Sequence, residues 1–195
     1  MQKIIRHTAM ILAAVAWLAT IPVAFAAECQ KIQFPDTVNI AGTDLMLNGL
    51  GLRKATILAV KVYVAGLYLL QKSTDSAQIL GSNGPWQLTL RFLRDVDASD
   101  MRKAFDEGFR NVLADKSAAL QPKIDALKAQ IVDIKKGQYL TFTNDPAKGV
   151  TVDMNGAAGS PIQEPDFAPT LLSIWLGPKP PNADLKTGLL GGKCE

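Results

Sequence analysis

The sequence predicts an α+β domain built on a mainly antiparallel sheet, and three observations predict it. Ile57 to Leu70 is a long run of β-branched and aromatic residues, and Trp86 to Leu93 alternates apolar with polar side chains; both patterns mark strands. Met101, Ala104, Phe105, Phe109 and Val112 then recur at helical spacing. Strands and helices come in runs rather than in βαβ alternation, which favours segregated layers over a parallel sheet.

The chain opens with a targeting pattern. Met1 to Arg6 carries Lys3 and Arg6 and no acid, an apolar block runs from Met10 to Ile21, and Pro22 is followed by Ala24-Phe25-Ala26. This three-part arrangement predicts a secretory signal over residues 1–26, cleaved after Ala26, and a single domain over residues 27–195. The uncharged run from Thr8 to Ala27 is long enough for an uncleaved anchor. Pro22 and the A-x-A site favour cleavage instead, so no stable membrane span is expected afterwards. Glu28 ahead of Cys29 argues against lipidation. Losing Lys3 and Arg6 takes the net charge from +3 to +1, which gives no reason to expect nucleic-acid binding. An exported protein, periplasmic or secreted, meets an oxidising environment. There Cys29 and Cys194 most simply form a disulfide tying the ends together. No C-x-x-C spacing supports the alternative, a redox pair.

The elements follow in order. Val38 to Ile40 and Leu45 to Leu47 read as short strands across a Gly42-Thr43-Asp44 turn. The long strand sets Lys61, Tyr63, Ala65 and Leu67 on one face and Val60, Val62, Val64 and Tyr68 on the other. Both faces are mostly apolar, so the strand is expected to be covered on both sides. Trp86, Leu88, Leu90 and Phe92 face the core, with Gln87, Thr89 and Arg91 opposite. Asp97 or Ser99 caps a helix running to about Leu113. A second helix runs from about Pro122, in its first turn, to Ile131. Gln138 to Thr143 and Gly149 to Met154 form an antiparallel pair, and Asn155-Gly156 marks the next turn. Asp166 caps a helix through Trp175 that Gly177 ends. Ala183 to Leu190 is a last short helix.

The only histidine, His7, lies in the expected signal. That excludes Ser-His-Asp and Cys-His catalysis and imidazole metal sites. Gly49-Leu50-Gly51 lacks the third glycine of a dinucleotide fingerprint and the Lys-Ser/Thr of a P-loop. No G-x-S-x-G elbow is present. Asp95, Asp97 and Asp100 read as turn and cap residues at a strand-to-helix junction, so no metal or cofactor site is expected. The informative feature is polar side chains in apolar strand sequence: Arg53, Lys61 and Tyr63. A cation beside an apolar sheet is paired, snorkels, or binds an anion. Arg offers a planar fork for a carboxylate or enolate, and Tyr adds one hydrogen bond. The competing reading pairs Arg53 with Asp44 or Asp95 and leaves Tyr63 in the core.

Leu47-Asn48-Gly49-Leu50-Gly51-Leu52-Arg53, followed by Lys61-Val62-Tyr63-Val64-Ala65-Gly66-Leu67-Tyr68-Leu69, resembles the bacterial chalcone isomerase-like proteins. Arg91-Phe92-Leu93-Arg94-Asp95-Val96, Gly149 to Gly156, Asp166-Phe167 through Gly177, and Leu185 to Gly191 extend the resemblance over nearly all of the mature chain. It implies an open-faced β-sandwich: a large antiparallel sheet, a helical layer on one face and a ligand cleft between. It also implies either of two uses of that cleft. Plant isomerases of this fold close a ring by adding a phenolate to an enone, as intramolecular lyases, with an arginine and hydroxyls stabilising the enolate. Arg53 matches the family arginine, but Tyr63 stands where those enzymes have a threonine, and Ala98 to Asn111 lacks their tyrosine. The fatty-acid-binding members instead resemble the Arg-plus-Tyr pattern. The leading expectation is therefore a binding module for a small amphipathic acid, with Arg53, Tyr63 and more weakly Lys61 at the head group. If the protein is an isomerase of a phenolic ligand, Arg53 and Tyr63 are its catalytic residues. A third reading is an envelope interaction protein with a vestigial cleft. Thr56, Arg91 and Asn111 are lesser pocket neighbours, and Trp175 is expected to anchor its helix in the core.

Overall fold

The computed structural model describes residues 25–55, 58–113 and 117–195. Seven strands form one antiparallel sheet whose spatial order is also the chain order. They are β3 (Thr37–Ile40), β4 (Thr43–Ala55), β5 (Val60–Leu69), β6 (Trp86–Phe92), β7 (Tyr139–Asp145), β8 (Gly149–Met154) and β9 (Ala157–Ala158). A separate hairpin, β1 (Phe25–Cys29) with β2 (Ile32–Pro35), completes the strands. The helices are α1 (Ser76–Leu80), α2 (Ala98–Leu113), α3 (Ser117–Ala129), α4 (Phe167–Leu176) and α5 (Ala183–Leu189). The expected signal, residues 1–26, lies outside the described residues apart from the backbone of Phe25 and Ala26, which begins β1. The start of the expected long strand at Ile57 also lies outside them.

Two cores sandwich the sheet. On one face Tyr63, Leu67, Leu88, Leu90, Phe92 and Phe142 pack against α2, α3 and α4. On the other Val64, Tyr68, Leu50 and Leu52 pack under Phe34 of the β1–β2 hairpin. This explains why β5 is apolar on both sides. The hairpin itself was not legible: it is short, and its first strand overlaps the expected signal. α1 was not legible either, being only five residues long. α3 starts ahead of Pro122 instead of at it, so the proline sits inside the helix. Leu120, Ile124, Leu127 and Ile131 form a buried stripe that extends upstream of the proline. Burying each such side chain contributes roughly 1.5–3 kcal/mol, comparable to the cost of about 3 kcal/mol for an interior proline. At the α2 start the side-chain partner is Asp133, whose Oδ1 accepts from the Ala98 N–H at 2.8 Å. Asp97 contributes its carbonyl to the first turn instead.

The Gly49-Leu50-Gly51 motif is a docking seat for α5. A Cβ at Gly51 would collide with the Leu185 carbonyl, and one at Gly188 with the Leu50 carbonyl. Helix and strand backbones thus touch directly, as only glycine permits. Asn48, an extra residue in the β4–β5 ladder, reinforces the seat. Its buried amide donates to the carbonyls of Leu189 (2.7 Å) and Ser73 (3.0 Å) and accepts from the Ser73 N–H (2.8 Å). Just past α5 a Cys29–Cys194 disulfide, with Cα atoms 6.0 Å apart, joins the chain end to β1.

Candidate functional site

A cleft of about 460 Å³ opens between the helix-facing side of the sheet and helices α2 and α4. Its floor is apolar, with Leu90, Phe92, Met101, Phe105, Leu140 and Ile174 among the lining residues. Its mouth carries charges, including Arg94, Asp97, Glu107 and Lys179. Such a volume and mixture suit a small organic ligand, whose pockets typically span roughly 300–1,000 Å³.

The ladder sets three side chains in a row across the cleft wall. Arg53 of β4 is the register partner of Tyr63 of β5, which in turn faces Phe92 of β6. Tyr63 and Phe92 rings lie 5.5 Å apart. The register then slips: Lys54 pairs with Lys61, leaving Val62 as an extra residue. This β-bulge breaks strict alternation, so Val62 and Tyr63 both reach the cleft. Lys61 consequently leaves it. Its ammonium is exposed and donates to Gln30 Oε1 of the β1–β2 turn at 2.6 Å, on the opposite side of the sheet. The expectation that Lys61 shares a face with Tyr63 assumed an unbroken ladder.

Arg53 is half-buried and lines the cleft. Its guanidinium donates to the Lys54 carbonyl and has no carboxylate partner among the described residues. The two acids considered as its partners are engaged elsewhere. Asp44 accepts from Asn39 at 2.6 Å. Asp95 accepts from the Lys136 N–H at 2.8 Å and pairs with Lys135 at 3.3 Å. Those two contacts, the backbone N–H first, hold its carboxyl below the usual range. Asn182 straddles Arg53: its amide accepts from the Lys54 N–H at 3.3 Å and donates to the Leu52 carbonyl at 3.3 Å. This pins the Pro180-Pro181 segment along the cleft edge.

Tyr63 is 9% exposed, and burial lifts its phenol from the ordinary 10.0 to about 12, opposed by the Trp175 hydrogen bond and the nearby Arg53 charge. It is therefore a neutral donor, not a base, near neutral pH. Trp175, 2% exposed, donates its indole N–H to the Tyr63 hydroxyl at 3.0 Å. The ring also meets Phe105 edge-on at 6.3 Å and Phe142 at 5.7 Å. It is thus a core anchor, as its spacing implies, and in addition a polar member of the cleft. Sequence spacing gave no hint of that second role, because Tyr63 lies 112 residues away. Asn182 was likewise missed; its place just after the prolines was its only signal. Asn111 lines the cleft. Arg91 does not: it points to the other face, its guanidinium 4.8 Å from the Tyr139 ring centre. Thr56 lies outside the described residues.

A curled antiparallel sheet with helices on one side and a cleft between them defines a fold class, the chalcone isomerase fold. The chalcone isomerase-like family model matches residues 26–191, and the chain belongs to that family. Among solved structures it is similar to a fatty-acid binding protein of Arabidopsis thaliana, with a TM-score of 0.67 and 17% identity. The likeness covers 86% of this chain and 96% of that one. At this identity it shows the shared fold alone. No curated protein matches the sequence.

Proposed function

We propose that the protein is an exported binding module for a small amphipathic acid of the fatty-acid kind. The carboxylate is held by Arg53 and Tyr63, and the apolar body lies along the cleft floor. The observation that carries this reading is Arg53: a half-buried guanidinium on the cleft wall with no carboxylate partner among the described residues. A cation so placed is stabilised by an anion that can take its planar fork. Tyr63, held neutral by burial, adds a hydrogen bond to the same anion. The Arabidopsis neighbour, named as a fatty-acid binding protein, points the same way. Lys61 has no part in this site. Residues 1–26 act as the export signal, residues 27–195 form the domain, and the protein works in the periplasm or outside the cell. The disulfide suits such an oxidising compartment. Among the described residues no helix is long and apolar enough to cross a membrane.

The test is organic extraction of natively purified protein, with mass spectrometry of what is released. The expected result is a set of acyl chains, lost in Arg53→Ala. Removing a charge-assisted contact of this kind costs about 1.5–3 kcal/mol, or roughly 10–150-fold in affinity. Equal occupancy in wild type and variant would sink the head-group assignment. An empty cleft combined with stereoselective ring closure of a phenolic enone would point to the isomerase use of the fold instead.

A further inference from the structure

We propose that Trp175 is a positioning residue that turns Tyr63 into a dedicated hydrogen-bond donor, so that the cleft selects head groups able to accept. This rests on the head-group reading of Arg53 and Tyr63.

A phenol oxygen has one proton to give and lone pairs to receive. The Trp175 indole N–H, which can only donate, lies 3.0 Å from that oxygen in a buried setting. It fills an acceptor position, so the hydroxyl proton must point away from Trp175. No acceptor for that proton is found among the described residues, and the Tyr63 side chain lines the cleft together with Arg53. The guanidinium beside it has only donors to offer. An incoming group therefore meets donors on both sides. A carboxylate satisfies both, whereas an ammonium meets repulsion and leaves the Tyr63 proton unpartnered. The indole bond also polarises the phenol, strengthening its outward bond, because linked hydrogen bonds reinforce one another at low dielectric.

Trp175 is held for this task. It sits on α4 with its ring wedged between Phe105 and Phe142. Reorienting the indole would mean repacking two elements, so the hydroxyl's direction is set before a ligand arrives and little ordering remains to be done on binding.

The experiment is a double-mutant cycle read by calorimetry with myristate. Trp175→Phe is expected to weaken myristate binding about tenfold in the wild-type background and less than twofold in Tyr63→Phe. A second variant carries benzothienylalanine at position 175, which keeps the ring volume and removes only the N–H. It is expected to give the same pattern, with a smaller drop in unfolding midpoint than Trp175→Phe because only the one buried hydrogen bond is lost. Myristylamine should bind wild type more weakly than myristate, and equal affinity for the two would overturn the proposal. Equal losses in both backgrounds would mean that Trp175 acts by packing alone, and would overturn the proposal. So would unchanged binding in the benzothienyl variant. If wild-type protein binds no myristate at all, the head-group reading itself fails and takes this one with it. Binding with additive losses removes the Trp175 role alone.

Discussion

At the scale of single residues, burial decides which form of Tyr63 exists. Its phenol titrates at about 12 when folded, against an ordinary value of 10.0. A raised acid favours the neutral native state, so its contribution to stability is complete below pH 10 and is lost as pH rises through about 12. Unfolding free energy should therefore fall across that window, and the fall should be shallower in Tyr63→Phe. Denaturant titrations at pH 9, 10 and 11 would check this; identical slopes in wild type and variant would refute it. Tyr68, also raised by burial, contributes in the same direction. Arg53 and Tyr63 stood out in the sequence because a polar side chain inside an apolar strand calls for a partner, and both line the cleft. Lys61 met the same criterion and misled, since a bulge at Val62 is invisible to a period-two count. The Tyr63–Trp175 bond was beyond reach because no local pattern reports a contact between a strand and a helix so far apart in the chain.

At the scale of elements, the long amphipathic or alternating segments were readable: β5, β6, α2, the β7–β8 pair and α4 all stand close to where their patterns put them. What escaped were short pieces whose shape comes from tertiary packing. The β1–β2 hairpin forms because Phe34 and Cys29 have a sheet face to cover. The extension of β4 through its glycines makes sense only once α5 lies on top of it. That seat is testable. Gly51→Ala would push a methyl group into the Leu185 backbone. Because backbone cannot rotate aside as a side chain can, the loss should reach at least the roughly 1–3 kcal/mol typical of overpacking. A lower urea midpoint is expected, together with weakened ligand binding, since displaced α5 carries Asn182 and the cleft edge with it. An unchanged midpoint would show that the helix does not rest on that strand.

At the scale of the whole molecule, the disulfide closes nearly the entire domain into one loop, with a sequence separation of 165. In the chain-entropy account so long a closure stabilises by about 5 kcal/mol, a value that native strain or residual structure would reduce. Mass spectrometry of the oxidised protein should find Cys29 and Cys194 in one linked peptide. Cys194→Ser should lower the melting temperature of the oxidised protein to that of reduced wild type. Two free thiols, or equal melting in all three samples, would remove the bridge from the account of stability. The same separation has a bearing on the order of events in synthesis. Cys29 emerges from the ribosome 165 residues ahead of its partner, and for that whole interval its thiol has no native partner, though its thiolate can attack a foreign disulfide and form a mixed disulfide, releasing the other thiol. In the folded protein the docking of α5 on β4 sets Cys194 beside β1, within reach of Cys29. A polypeptide that stops short of Cys194 keeps a bare thiol in its first strand and cannot form this bridge.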